Sequence, residues 1–248
     1  MKRGVIADGA VYHVYNRGAD RRKIFVDEKD YLRFVHDMSE FNEEGNSIGV
    51  GYKFIQNPVK IAGLDDDEKK PKNKKPLVSI LAFALMPNHF HLLLIQKENN
   101  GITLFMKKLG SGYALYFNQK YKRSGVLFQG RFKSVHIKKN SHLKHIPYYI
   151  HANPLDLNRR REDEIKFINS YRWSSHMDYC GWRNFPSVTE RSFLLDFFDG
   201  EENYRKSIAE WVKDRSDNLE KVREVALEKF AVLFLFITLS LECLLQDL

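Results

Sequence analysis

One stretch constrains this chain more than any other: Leu85-Met86-Pro87-Asn88-His89-Phe90-His91-Leu92-Leu93-Leu94. Apolar runs on either side of Met-Pro-Asn read as two strands, Leu77 to Leu85 and Phe90 to Ile95, joined by a turn. Residues i and i+2 of a strand share a face, so His89 and His91 point one way and Phe90 points the other way, into a core. At the rise of a strand the two imidazoles stand about 6–7 Å apart, close enough to hold one divalent metal. The same pattern also describes two polar residues on a solvated face. A third ligand and a nucleophile elsewhere in the chain decide between these readings.

The remaining elements follow from periodicity. Val11 to Arg17 is rich in β-branched and aromatic residues, ends at Gly18 and reads as a first strand. His13 within it could serve as a third ligand, but a packed or hydrogen-bonded strand residue is the preferred reading. Asp27 to Phe41 carries Tyr31, Phe34, Val35, Met38 and Phe41 at helical steps. Gly49 to Ile55 reads as a short strand. Gly101 to Lys122 is a second helix with a stripe of Leu104, Phe105, Leu109, Tyr113, Tyr116 and Phe117. From Arg131 to Ile137 the pattern is again strand-like, with Arg131 and Lys133 on one face. Asn140 or Ser141 can cap a helix that runs to about Ala152, with a kink or late start predicted at Pro147. Pro154 ends it.

The order strand, helix, strand, strand, helix, strand, helix predicts an α+β fold: a ferredoxin-like antiparallel sheet with helices on one face. A C-terminal helical extension follows. We divide the chain into a catalytic domain over residues 1–160 and a mostly helical extension over 161–248. Helices are predicted near Thr189–Phe198, Glu201–Trp211 and Asp217–Lys229.

The net charge of +8, from 40 Lys and Arg against 32 Asp and Glu, favours a polyanionic partner. Aromatics at 13% add what unpaired bases need, since a ring face stacks on a base while Arg and Lys hold its phosphate. Asp65 to Pro76 is a run of acids and then lysines that reads as a solvated loop, or as one that touches nucleic acid. Cys180 and Cys243 lack metal-type spacing and argue against a disulfide framework. A reduced, cytoplasmic setting is expected, and the N-terminus does not read as a secretory signal. The apolar run Phe230 to Leu241 falls short of the ~20 residues of a spanning helix, so no stable membrane insertion is expected.

Tyrosine is the nucleophile the chain offers, since no Gly-Lys-Ser/Thr loop and no Gly-x-Ser-x-Gly elbow is found. A phenol that attacks a phosphodiester conserves the bond energy as a phosphotyrosine. Tyr149 and Asn153, four apart, share one helix face. Asn153 could supply a hard oxygen ligand beside imidazole, which suits Mg²⁺ or Mn²⁺. Spacing alone leaves open that Tyr149 is an ordinary amphipathic-helix residue and Asn153 a cap before proline. Tyr148 faces about 100° away and reads as packing.

His89-Phe90-His91 after Met86-Pro87-Asn88, then Gly125-Val126-Leu127-Phe128-Gln129-Gly130-Arg131, then Tyr149-Ile150-His151-Ala152-Asn153-Pro154, resemble the single-tyrosine HUH transposases, and among them the REP-associated tyrosine transposase branch. The likeness runs from about Val5 to Cys180 and includes Trp173-Ser174-Ser175. The resemblance implies a ferredoxin-like fold and metal-dependent nicking and joining of single-stranded, hairpin-containing DNA. It further implies a 5′-phosphotyrosine intermediate on Tyr149, a metal (Mg²⁺ or Mn²⁺) held by His89, His91 and Asn153, and a homodimer. Arg17, Gln129, Arg131 and Lys133 are the candidate DNA contacts. The chain departs from the family in Pro147, in the lysine-rich loop and in the apolar tail from Phe230. Two rival readings remain at this stage: a non-catalytic single-stranded nucleic-acid-binding module, and a hydrolase that activates water.

Overall fold

The computed structural model describes residues 6–44, 75–160 and 163–226. The expected strand at 49–55, nearly all of the charged loop and the apolar run from Phe230 lie outside the described residues.

Four strands form one sheet: β1 (Val11–Arg17), β2 (Val78–Met86), β3 (His89–Gln96) and β4 (Lys133–His136). Their order is β2-β3-β1-β4, and every neighbouring pair is antiparallel. Helices α1 (Glu28–Glu40) and α2 (Gly101–Lys120) connect β1 to β2 and β3 to β4. This is the ferredoxin-like arrangement that the element order predicts.

Alternation along the strands divides the molecule into two cores. Tyr12, Val14, Phe83, Leu85, Phe90, Leu92 and Leu94 face α1 and α2, where they meet Phe34, Val35, Met38, Phe105, Leu109 and Tyr113. The α1 start is fixed by a reciprocal cap, in which Asp27 accepts from the Asp30 amide and Asp30 returns the bond. Buried Asp30 also accepts from Tyr116, Tyr121 and Lys120, so the same carboxylate ties α1 to α2. Gly112 lets the two helices approach: a Cβ there would sit 2.6 Å from the Phe41 ring.

The opposite sheet face, with Val11, Ala82, Ala84 and Leu93, is covered by α3 (Asn140–Ala152) and the extension. The extension comprises α4 (Glu164–Ser170), α5 (His176–Tyr179), α6 (Ser192–Phe197), α7 (Glu201–Lys213) and α8 (Arg215–Ala226). Tyr148 packs among Phe198, Tyr204 and Trp211 of this layer, as a packing residue should. The outer edge of β2 is sealed by the Trp173–Ser175 segment. Leu85 N–H donates to the Trp173 carbonyl, and Ser175 N–H to that of Phe83. An edge strand covered in this way cannot template pairing with another chain.

Three local expectations are corrected. Helix α3 runs unbroken through Pro147, without the late start. Its Leu143, Ile146, Tyr148 and Ile150 are buried against the sheet and the extension, and that burial outweighs the roughly 3 kcal/mol a helix-interior proline costs. Its first turn closes on the Lys139 carbonyl, which accepts from the amides of His142 and Leu143, and no side chain of Asn140 or Ser141 caps it. Strand β4 begins at Lys133, not Arg131, because Gly130 turns the chain with φ +129° just before it. No helix among the described residues is long and apolar enough to cross a membrane.

Candidate functional site

Strand register brings the polar residues together. β1 and β3 pair Arg17 with His89 and Tyr15 with His91, and β1 and β4 pair Tyr15 with Lys133. His13, Tyr15, Arg17, His89, His91 and Lys133 therefore all project from the sheet face that α3 covers. Phe90 projects from the other face, where its ring meets Phe34 at 5.0 Å. The expectation that the two histidines share a face with Phe90 behind them is met.

Helix α3 lies on the histidine side. The Tyr149 ring stands edge-on to His91 at a centroid distance of 5.6 Å and to His13 at 6.0 Å. One turn later Asn153 ends the helix, with its Oδ1 3.3 Å from His89 Nε2. The Asn153 amide nitrogen donates back to the Tyr149 carbonyl at 3.4 Å, which directs the oxygen toward the imidazole. The two imidazoles are nearly perpendicular, with centroids 5.0 Å apart. Both histidines, the phenol and the amide thus meet within a single chain.

The protonation of these groups follows from their surroundings. Burial holds His89 below its ordinary pKa, and the Arg17 charge adds to this. Burial holds His91 well below the same value, with His89 and His13 reinforcing it. Both rings are then neutral at pH 7, the form in which imidazole binds metal. Asn88 Oδ1 lies 2.7 Å from His89 Nδ1, and a carbonyl oxygen can only accept, so the proton of neutral His89 belongs on Nδ1. Nε2 then presents a lone pair to the lone pairs of Asn153 Oδ1. Two acceptors face to face are unfavourable until a cation lies between them. That donor pair, with His91 beside it, fits a divalent ion such as Mg²⁺ or Mn²⁺. Among the described residues no group of three or more His, Cys, Asp or Glu side chains could hold a metal, so an amide oxygen has to complete any protein ligand set here.

The candidate DNA contacts divide. Arg17 Nε donates to Gln129 Oε1, and the Gln129 amide donates to the Arg17 carbonyl, so these two stand together beside His89. Lys133 sits with its Nζ 5.9 Å from the centre of the Tyr15 ring. Arg131 is exposed in the loop before β4 and does not share the strand alternation assumed for it.

Some contributors were not singled out as site residues from the sequence. Asn88 orients His89. Tyr15 packs on His13 and His91, with centroids 5.2 and 5.9 Å away. His151 leaves the site altogether: its Nδ1 meets the Tyr204 hydroxyl at 2.6 Å and its Nε2 meets Ser175 Oγ at 2.7 Å. His176 joins the same hydroxyl at 3.3 Å and Asn169 at 2.8 Å. This buried network fastens the Tyr149 helix to the extension and to the edge of β2. The i+2 offset of His151 from Tyr149 indicates that it faces elsewhere, but its partners are 24 and 53 residues away.

The arrangement is therefore a sheet-borne imidazole pair met by a phenol and an amide from one helix turn. Residues 70–153, which include His89, His91, Tyr149 and Asn153, match the family model described as "Transposase IS200 like". Through this segment the chain is related to the IS200-like transposases, a class that processes DNA, in agreement with the resemblance drawn from the three motifs. A solved structure described as "Structure of the REP associates tyrosine transposase bound to a REP hairpin" is similar at 15% identity and a TM-score of 0.45, over 77% of this chain and 94% of that one. No curated protein matches the chain.

Proposed function

We propose that the protein nicks and rejoins single-stranded, hairpin-containing DNA through a covalent bond to Tyr149. The observation that carries this reading is the position of the Tyr149 ring, 5.6 Å from His91 on the face shared with His89 and Asn153. In this reading the Tyr149 oxygen attacks phosphorus and loses its proton. The bond from phosphorus to the 3′ oxygen breaks, and that oxygen leaves as a free 3′-hydroxyl. The 5′-phosphate remains on the tyrosine, and attack by a second 3′-hydroxyl reverses the step to join strands.

His89, His91 and Asn153 would hold a divalent ion, whose chemistry is to polarise the scissile phosphate as a Lewis acid. Asn88 keeps the His89 lone pair turned toward Asn153. Tyr149 is 5% exposed and His91 is fully buried, while His89 and Arg17 are half-buried and Gln129 is exposed. The strand would therefore enter from the His89–Arg17–Gln129 side, with Lys133 taking a phosphate further along the sheet. Pairing of two copies, which the resemblance implies, is not needed in this reading to bring the tyrosine to the histidines.

Incubation with single-stranded hairpin DNA and Mn²⁺ tests the proposal. A protein–DNA adduct that survives denaturation is expected, and chelation should abolish it. Cleavage without an adduct would favour a hydrolase. Binding indifferent to metal and to His89→Ala would favour a binding module.

A further inference from the structure

We propose that His13 is a positioning residue that sets the tautomer of His91 and so turns the His91 Nε2 lone pair toward the metal position. The inference rests on the metal reading of the site given above and assigns a task to a residue outside the donor set.

The geometry is direct. His13 Nε2 lies 2.9 Å from His91 Nδ1, and both side chains are fully buried. The ring planes are within 14° of parallel, which an in-plane bond between ring nitrogens allows. One proton occupies that bond, so two arrangements exist. If His13 Nε2 carries it, His91 Nδ1 accepts, and neutral His91 keeps its own proton on Nε2, where no metal can bind. If His91 Nδ1 carries it, His13 Nε2 accepts, and His91 Nε2 is left with its lone pair.

The second arrangement gives both histidines of the pair the same form. His89 has its Nδ1 proton taken by Asn88 Oδ1, and His91 has its Nδ1 proton taken by His13 Nε2. Each ligand then presents Nε2. The supporting partners come from different places, one from the turn beside His89 and one from β1. A histidine ligand whose other nitrogen donates to a fixed acceptor is oriented and made more basic, and loss of such a partner typically costs about 10–100-fold in metal affinity. Tyr149 adds a steric constraint, since its ring stands edge-on to both His13 and His91. A shift of either imidazole would move the surface on which the phenol rests.

The test begins with the metal-free wild-type protein, so it does not depend on activity. Long-range ¹H–¹⁵N spectra of the histidine rings report which nitrogen carries each proton. The expected result is His91 protonated at Nδ1 and bare at Nε2, with His13 bare at Nε2. His91 protonated at Nε2 overturns the proposal. Mn²⁺ titration, followed by the electron paramagnetic resonance of the free ion, then compares variants whose circular dichroism matches wild type. His13→Leu, which removes the acceptor, should weaken binding about 10–100-fold. His13→Gln, whose Oε1 can accept the same proton, should recover most of it. Equal binding by His13→Leu and wild type overturns the proposal alone. A wild type that binds no Mn²⁺ overturns the metal reading and the proposal with it.

Discussion

His89 and Asn153 meet tip to tip: Nε2 of the strand residue lies 3.3 Å from Oδ1 of the residue that ends the Tyr149 helix. This contact joins the centre of the sheet to the helix above it. It also places two lone pairs opposite each other, the relationship from which the metal reading follows.

Asn153→Ala removes the oxygen and leaves the imidazoles. Calorimetric titration with Mn²⁺ should show affinity lower by about tenfold or more, by analogy with the loss of a supporting partner. Asn153→Asp keeps an oxygen in place and should bind at least as well as wild type. Equal affinities for wild type and Asn153→Ala would remove Asn153 from the ligand set.

The basic residues of the site face should act through phosphate. Lys133→Ala should lower single-stranded DNA affinity with little regard to sequence. It should also reduce the slope of log affinity against log salt by about 0.7, the value for one phosphate contact on a single strand. Arg17→Ala should do the same and also release Gln129, its hydrogen-bond partner. Fluorescence anisotropy at several salt concentrations measures both. An unchanged slope would take the residue off the DNA path.

The buried His151–Tyr204–His176 network should make the fold sensitive to acid. Burial pushes His176 from 6.5 down to about 4. It holds His151 well below the ordinary value, with His176 reinforcing the effect. The unfolded chain takes up these protons first as the pH falls. The stability they contribute is therefore fully present above about pH 6.5 and is lost as the pH drops toward the folded values. For His176 alone the loss between pH 7.5 and 5 is on the order of 2 kcal/mol. Urea denaturation at the two pH values checks this, and His176→Asn should flatten the dependence. A variant with the wild-type dependence would move the effect elsewhere.

Phe90 separates the two cores, and its ring faces Phe34 and Phe128. Phe90→Ala should destabilise the fold by about 3–5 kcal/mol in chemical denaturation, from lost burial and the cavity left behind. A cost below about 1 kcal/mol would mean that the strand does not present Phe90 to the core as described.

What could be read from the sequence was what depends on local pattern. The two-residue period put His89 and His91 on one face and Phe90 on the other. The four-residue step paired Tyr149 with Asn153, and β1 runs from Val11 to Arg17 as its composition indicates. What depends on distant partners could not be read in this way. His13 lies 78 residues from His91, and nothing in Tyr-His-Val separates a hydrogen-bonded strand histidine from a ligand. Which side of the sheet α3 would take was equally open, because it depends on the extension that covers that face through Tyr148, Tyr204 and Trp211. Pro147 was misjudged for a related reason: helix propensity is local, and the burial that overrides it is not.

The most direct measurement of the central claim concerns the Tyr149 hydroxyl. Wild type and Tyr149→Phe are incubated with end-labelled single-stranded hairpin DNA and Mn²⁺, then resolved on a denaturing gel. Wild type should carry the label in a covalent adduct with the DNA 5′-phosphate. Tyr149→Phe, which lacks only the attacking oxygen, should bind Mn²⁺ and DNA as wild type does and form no adduct. An adduct of equal yield with Tyr149→Phe would contradict the account.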